Sequence, residues 1–324
     1  RFVDYTEDIY VGYRYFETIP GAGEKVNYPF GFGLSYTDFS LEAGDAYEEN
    51  GMIFVPAVVT NTGKRAGKEV VQAYFSAPQG VLGKPAKQLA AFQKTRLLQT
   101  GESQKVLLSW KVNDMASYDD LGKIKASAYI LEKGAYRFFV GRSVRDVTEL
   151  SYRYEVQQDM VIQQLSRKCA PTSLKKRMLA DGSYEELPLT APVETDANAL
   201  TPLTVEETDG FTPAARAGKR YHLWVNTAAQ QHHFLKEVAE GNLTLDEFVA
   251  QLSDEELAHL LGGQPNTGVA NTFGWGNLPD YGIPNIMTAD GPAGLRILPE
   301  CSVYTTAWPC ATQLACSWNR LQQP

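Results

Sequence analysis

Phe54-Val-Pro-Ala-Val-Val59 is a short apolar run rich in β-branched residues, and it has companions along the chain: Val70-Val-Gln-Ala-Tyr-Phe75, Lys105-Val-Leu-Leu-Ser-Trp110 and Tyr136-Arg-Phe-Phe-Val140. Each run has strand length and is rich in the residues that fit a pleated, half-buried surface. Turn clusters punctuate them at Asn61-Thr-Gly-Lys64, Gln99-Thr-Gly-Glu102 and Glu132-Lys-Gly-Ala135. Short strands at that spacing predict an all-β sandwich over 39–157. Its expected inward positions include Val55, Val59, Val71, Ala73, Leu107, Trp110 and Phe139.

Downstream the signal changes. Residues 158–242 read as a connector, because Pro188, Pro192, Pro202 and Pro213 interrupt any long element. Lys175-Lys-Arg177 and Arg216-Ala-Gly-Lys-Arg220 are basic patches within it, read as solvated charge. Helices return after Leu243. Thr244-Leu-Asp-Glu247 and Ser253-Asp-Glu-Glu256 are both capping boxes, where a hydroxyl accepts from a first-turn N–H and the glutamate reaches back to the cap. Leu245, Phe248, Val249 and Leu252 fall on one face of the first helix. Leu257, Leu260 and Leu261 line the second, and Gly262-Gly263 ends it.

The chemistry-bearing stretch is Thr288-Ala-Asp-Gly-Pro-Ala-Gly-Leu-Arg296, directly after the apolar run Ile283-Pro-Asn-Ile-Met287. A strand followed by this turn delivers Asp290 to a pocket mouth, with Arg296 close enough to bond or neutralise it. A carboxylate accepts two vicinal hydroxyl protons, which suits a hydroxyl-rich ligand. By local rules alone, Asp-Gly-Pro is first of all a turn.

Composition bounds the alternatives. The chain has 324 residues, 44% hydrophobic and 21% charged, which is ordinary for a globular protein of about two domains. Its net charge of −8 gives no electrostatic footprint for nucleic acid. No apolar run approaches the roughly 20 residues of a membrane helix. Cys169, Cys301, Cys310 and Cys316 lack the paired spacing of a metal site and read as buried reduced thiols, which favours a bacterial-type cytoplasmic location over secretion. The histidines, His222, His232, His233 and His259, show no metalloprotease pattern, and His232-His233 reads as a solvated helix face. No metal or cofactor is expected. An α/β-hydrolase is disfavoured because no G-x-S-x-G elbow occurs.

Gly282-Ile-Pro-Asn-Ile-Met-Thr-Ala-Asp-Gly-Pro-Ala-Gly-Leu-Arg296 and Thr306-Ala-Trp-Pro-Cys-Ala-Thr-Gln-Leu-Ala-Cys-Ser-Trp-Asn319 together resemble the start of the catalytic barrel of glycoside hydrolase family 3. Asp4-Tyr-Thr-Glu-Asp-Ile-Tyr-Val-Gly-Tyr-Arg-Tyr-Phe16 and Tyr28-Pro-Phe-Gly-Phe-Gly-Leu-Ser-Tyr-Thr37 resemble the end of that family's α/β sandwich domain and the strap that leaves it. Val59-Thr-Asn-Thr-Gly63, Ala66-Gly-Lys-Glu-Val-Val-Gln72 and Gly134-Ala-Tyr-Arg-Phe-Phe-Val-Gly-Arg142 resemble its fibronectin type III-like module.

The resemblance implies a multidomain chain. Its parts would be an α/β sandwich tail and strap (1–38), a fibronectin type III-like β-sandwich (39–157), a connector (158–242) and the first part of an α/β, TIM-like barrel (243–324). Sandwich-end residues precede barrel-start residues, as in the subgroup with inverted domain order. The chain opens on Arg1 without an initiator Met and stops soon after the first barrel segments, so an internal fragment is the expectation. The implied activity is retaining, exo-acting hydrolysis of terminal β-D-glucosyl residues from β-linked glucosides or short oligosaccharides. Asp290 and Arg296 would belong to subsite −1, and the nucleophile and acid/base would lie outside this chain, in the remainder of the same enzyme. A homo-oligomer is compatible with this. Alternatives are a β-xylosidase, and a non-catalytic carbohydrate-binding or scaffolding chain that presents Trp110 and Tyr74 to a polysaccharide.

Overall fold

A computed structural model describes residues 3–166, 174–187, 232–265, 270 and 272–319. Two compact units emerge, one drawn from Arg1–Leu200 and Trp318–Pro324, the other from Thr201–Ser317.

The first unit is organised by β3 (Met52–Asn61), a ten-residue strand in which every second residue is buried. It pairs antiparallel on one side with β1 (Phe39–Ala43) and β2 (Tyr47–Glu49), and on the other with β6 (Ser103–Lys111). The facing sheet runs β10–β9–β4–β5, from Val147–Val156, Gly134–Gly141, Val70–Ser76 and Gln88–Lys94. Ile53, Val55, Ala57, Val59, Val106, Leu108 and Trp110 from one sheet meet Val71, Ala73, Phe75, Phe138 and Val140 from the other in one core. Trp110 and Phe138 join edge to face, their ring centroids 5.3 Å apart. This is a β-sandwich, with the core expected of alternating strands.

Two of the expected inward positions are corrected. Leu107 is 51% exposed, because the period of two that buries Val106, Leu108 and Trp110 turns it outward. Phe139 is buried, but opposite the face that carries Phe138 and Val140. There it packs with Tyr74 and Val144 beneath Tyr13 and Phe30. The second sheet is therefore covered on both faces, which is why β9 shows no clean alternation.

The cover is the N-terminal strap. Tyr13, in helix α1 (Tyr13–Thr18), stacks on Phe30 at 4.2 Å and accepts the Leu89 N–H at 2.9 Å. Buried Gln72 ties the strap down: its amide donates to the carbonyls of Gly31 and Arg142, and its oxygen accepts the Tyr74 hydroxyl. Gly31 is required there. Its φ is +82°, and a Cβ would collide with the Gln72 amide.

The start of the connector is ordered by pairing with the β-module. A third sheet, β11–β8–β7, adds Met160–Gln164 beside Ala128–Leu131 and Ser117–Asp119. A hairpin follows, β12 (Lys176–Met178) with β13 (Tyr184–Glu186). These runs are too short and polar to announce themselves, and pairing with a preformed edge decides them. Arg216–Arg220, Cys169 and His222 lie outside the described residues.

In the second unit, helices α2 (Leu235–Ala239), α3 (Leu245–Ala250) and α4 (Asp254–Leu261) precede β14 (Trp275–Leu278) and β15 (Ile283–Ile286). Both capping boxes form: Thr244 and Ser253 accept the N–H of Glu247 and Glu256, whose carboxylates return to the caps. Phe248, Leu252 and Leu278 form a small core with Leu257, Leu260 and Ile283 against it. Leu245, Val249 and Leu261 are exposed instead, which narrows the expected apolar faces. His232 and His233 precede α2 and lie on no helix face. His233 pairs with Glu237, and His232 meets the Asp280 carbonyl. Cys310 and Cys316 are exposed and Cys301 is half-buried, contrary to the buried thiols expected. β14 and β15 pair antiparallel, so this hairpin is not the parallel pairing of a closed α/β barrel.

Candidate functional site

Asp290 follows the end of β15 by four residues, on a turn whose backbone is held at several points. Its carbonyl accepts the Arg296 N–H at 2.7 Å, Gly294 N–H reaches Gly291 O at 3.1 Å, and Trp308 N–H reaches Ala293 O at 3.0 Å. Thr288 anchors the approach by donating its hydroxyl to the Phe273 carbonyl at 2.6 Å. Two glycines make the turn feasible. A Cβ on Gly291 would strike the Gly294 carbonyl, and Gly294 has φ +121° with the Thr306 carbonyl against it. Gly and Pro here serve a close backbone crossing, with the carboxylate at its rim.

The two residues singled out in the sequence are together. Arg296 Nη1 lies 2.9 Å from Asp290 Oδ2, with the arginine side chain 61% exposed and the aspartate 40%. An ion pair so open to water contributes at most about 1 kcal/mol to folding. It leaves Asp290 free to exchange this partner for ligand hydroxyls, with Arg296 beside it as a donor. Among the described residues, no cluster of three or more His, Cys, Asp or Glu side chains is arranged to hold a metal ion.

The β-sandwich offers a different surface. A groove of about 560 Å³ runs between β1 with its following turn and the β9–β10 hairpin, bordered by Ser40, Asp45, Arg142, Asp146 and Glu149. Among the described residues, its one aromatic lining residue, Phe39, is only 8% exposed and offers no stacking platform. Trp110 is 4% exposed and Tyr74 is fully buried, so neither is presented to a polysaccharide. Burial pushes the Tyr74 hydroxyl well above the usual phenol range, with Tyr13 and Glu17 adding to it.

Several polar residues that organise the fold were not singled out beforehand. Asn61, at the centre of the Val59–Gly63 turn, donates to the carbonyls of Arg65 and Leu98 and accepts from Thr37 and Gly63. Lys84 and Glu132 form a buried ion pair, and Glu132 also accepts the Val81 N–H at 2.7 Å. Asn61 and Glu132 each sit in a recognised turn cluster, but nothing local distinguishes a buried polar anchor from a solvated turn residue.

A fold of two facing antiparallel sheets, with a strap across the outer one, defines a fibronectin type III-like sandwich, and the fibronectin type III-like domain family matches residues 69–144. The whole chain has relatives. It is 56% identical to β-glucosidase A of Butyrivibrio fibrisolvens over 98% of the chain and 41% of that protein, and 37% identical to a β-glucosidase of Ruminococcus albus over 98% and 32%. The crystal structure of a β-glucosidase from Paenibacillus barengoltzii matches 97% of the chain and 34% of its own, at 38% identity and a TM-score of 0.69. The chain is thus similar to β-glucosidases along nearly its whole length, as its resemblance to glycoside hydrolase family 3 implies, and carries a fibronectin type III-like module. It spans about two-fifths or less of these relatives' length.

Proposed function

We propose that this chain is part of a retaining, exo-acting β-glucosidase that hydrolyses terminal non-reducing β-D-glucosyl residues. Asp290 and Arg296 supply part of subsite −1, and the residues from 243 onward contribute to the catalytic barrel. The observation that carries this reading is the 56% identity to a β-glucosidase across 98% of the chain, the Asp290 turn included. The exposed Asp290–Arg296 pair supports the binding role, since a carboxylate and a guanidinium at a bent strand end match a sugar's vicinal hydroxyls.

Asp290 binds and does not react. In a retaining mechanism two carboxyl groups, roughly 5–5.5 Å apart, act as nucleophile and acid/base. On this reading they come from sequence outside these 324 residues, as does the rest of the sugar clamp. The 39–157 module serves as a buttress, consistent with its buried aromatics. The test is a panel of nitrophenyl glycosides given to the full-length protein. Preference for β-glucoside over β-xyloside supports the assignment, preference for xyloside moves it to β-xylosidase, and turnover of neither removes it.

A further inference from the structure

Arg177, read from the sequence as part of a solvated basic patch, is 12% exposed and surrounded by carboxylates. Its Nε lies 2.7 Å from Glu185, its cross-strand neighbour in the β12–β13 hairpin. Its Nη1 lies 2.8 Å from Asp120, just beyond β7, and 3.7 Å from Asp8 in the N-terminal segment. Lys123 Nζ approaches the same Glu185 at 3.0 Å. The backbone follows this clustering, since Met178 N–H donates to the Thr6 carbonyl at 2.7 Å. Three stretches distant in sequence thus converge on one guanidinium.

Among the described residues, the ion pairs of this cluster set two cations, Arg177 and Lys123, against three carboxylates, Asp8, Asp120 and Glu185. One negative charge is in excess. Asp8 holds the longest of the arginine's contacts, so its attraction is the weakest of the three while it still faces two like charges. We propose that Asp8, Asp120, Lys123, Arg177 and Glu185 form a charge-regulated latch pinning the N-terminal segment and the β12–β13 hairpin to the β-module, and that the latch tightens when Asp8 becomes neutral.

The titration directions agree with the geometry. Burial above all, with Asp120 and Glu185 adding and Arg177 opposing, holds the Asp8 carboxyl above its ordinary value. Burial also acts on Glu185, but its bonds from Arg177 and Lys123 win and hold it low. A raised Asp8 contributes stability that is present at low pH and lost as pH rises through its folded value; Glu185 contributes stability that is lost as pH falls through its own. The latch is therefore tightest below the folded value of Asp8 and above that of Glu185, with Asp8 neutral and Glu185 still charged. The other titratable groups nearby do not interfere. Tyr10 is pushed up to about 12, chiefly by burial, and stays neutral, while Ser183 holds Asp181 low and therefore charged.

Hydrogen-exchange mass spectrometry on the full chain tests this, reading protection factors for peptides spanning 174–187 against those from β3 and β6 as an internal measure of folding. Wild-type hairpin protection should rise about three- to tenfold between neutral pH and the acid pH at which Asp8 is neutral and Glu185 still charged. Asp8→Asn, which keeps the shape and suits the left-handed backbone at that position (φ +52°), should show the higher protection already at the upper pH and little change on acidification. Arg177→Met should lose hairpin protection at both pH values while β3 and β6 stay protected. Reduced hairpin protection in Asp8→Asn, or unchanged protection in Arg177→Met, would overturn the latch. If Arg177→Met fails to fold, Asp8→Asn decides alone.

Discussion

The β-sandwich and the stretch around Asp290 use charge and apolar surface in opposite ways. In the sandwich, Ile53, Val55, Val59, Val71 and Leu98 are completely buried, and even the ionic groups Lys84 and Glu132 are enclosed with partners. Around the site, Leu295, Trp308 and Tyr304 are mostly exposed, and the principal ion pair, Asp290–Arg296, stands in water. The first region closes on itself, whereas the second leaves its charged and aromatic groups open to water. Stability should therefore reside in the sandwich and affinity in the Asp290 turn, so mutations in the two should separate cleanly.

The widest separation is between folding and catalysis. Expressed by itself, the 324-residue chain should fold its sandwich yet hydrolyse nitrophenyl β-glucoside at a rate about 10⁶-fold or more below an enzyme's. Sustained turnover by the purified chain would mean that both reacting carboxylates are present in it, and the division of labour argued above would collapse.

Next in size is Trp110→Ala, which removes an indole packed on Phe138 between the two sheets. It should cost roughly 3–5 kcal/mol in urea unfolding. A loss below about 1 kcal/mol would show that the sandwich does not depend on that contact. In the complete enzyme, Asp290→Asn should do the reverse. On the proposed binding role, a loss of roughly 2–4 kcal/mol in kcat/KM is expected, with kcat lowered as well as KM raised, because hydroxyl contacts of Asp290 would strengthen as the ring flattens toward the transition state. Its melting should stay within about 1 kcal/mol of wild type. If the turn were only a turn, activity would survive and melting would suffer.

How far the sequence discloses each region follows from the same contrast. Period-two burial in β3 and β6 is visible in the letters, as are both capping boxes and the glycine-bent turn that brings Asp290 to Arg296. The parity of Leu107 is also in the letters, since it is one residue out of phase with Leu108 and Trp110 along β6. Phe139 could not be placed so simply: its face is buried only because a strap more than a hundred residues earlier lies over it. Arg177 and Gln72 are hidden for the same reason, since their partners come from distant stretches and no local pattern marks a polar residue for burial.

Asp119 tests a polar anchor inside the closed region. Its buried carboxylate accepts four backbone N–H bonds, from Gly122, Lys123, Ile124 and Lys125, at 2.7–3.1 Å. Burial opposes the charged form, but the four bonds outweigh it and hold the carboxyl below its ordinary range. Asp119→Asn should cost roughly 1–3 kcal/mol at neutral pH, because one side of an amide cannot accept from those donors. A depressed carboxyl contributes stability that is fully present above its unfolded value of about 3.9 and lost as pH falls through the folded one. The difference between wild type and variant should therefore narrow in acid, and a constant gap down to about pH 2 would refute the carboxylate's role.

The smallest effect concerns Leu107, where the closed region touches water. Its neighbours Val106 and Leu108 face the core, and Leu107 stands opposite Pro56 on the outer surface of the same sheet. Leu107→Thr keeps a β-compatible side chain and empties no cavity, so unfolding should change by no more than about 0.5 kcal/mol. Leu108→Ala, one residue along, should cost about 2–5 kcal/mol. The pair reads strand register directly: slipping β6 by one residue against β3 would exchange the two results, because every side chain would change face. A large loss at Leu107 with a small one at Leu108 would place the wrong face of β6 in the core and undo the burial that distinguishes the sandwich from the Asp290 turn.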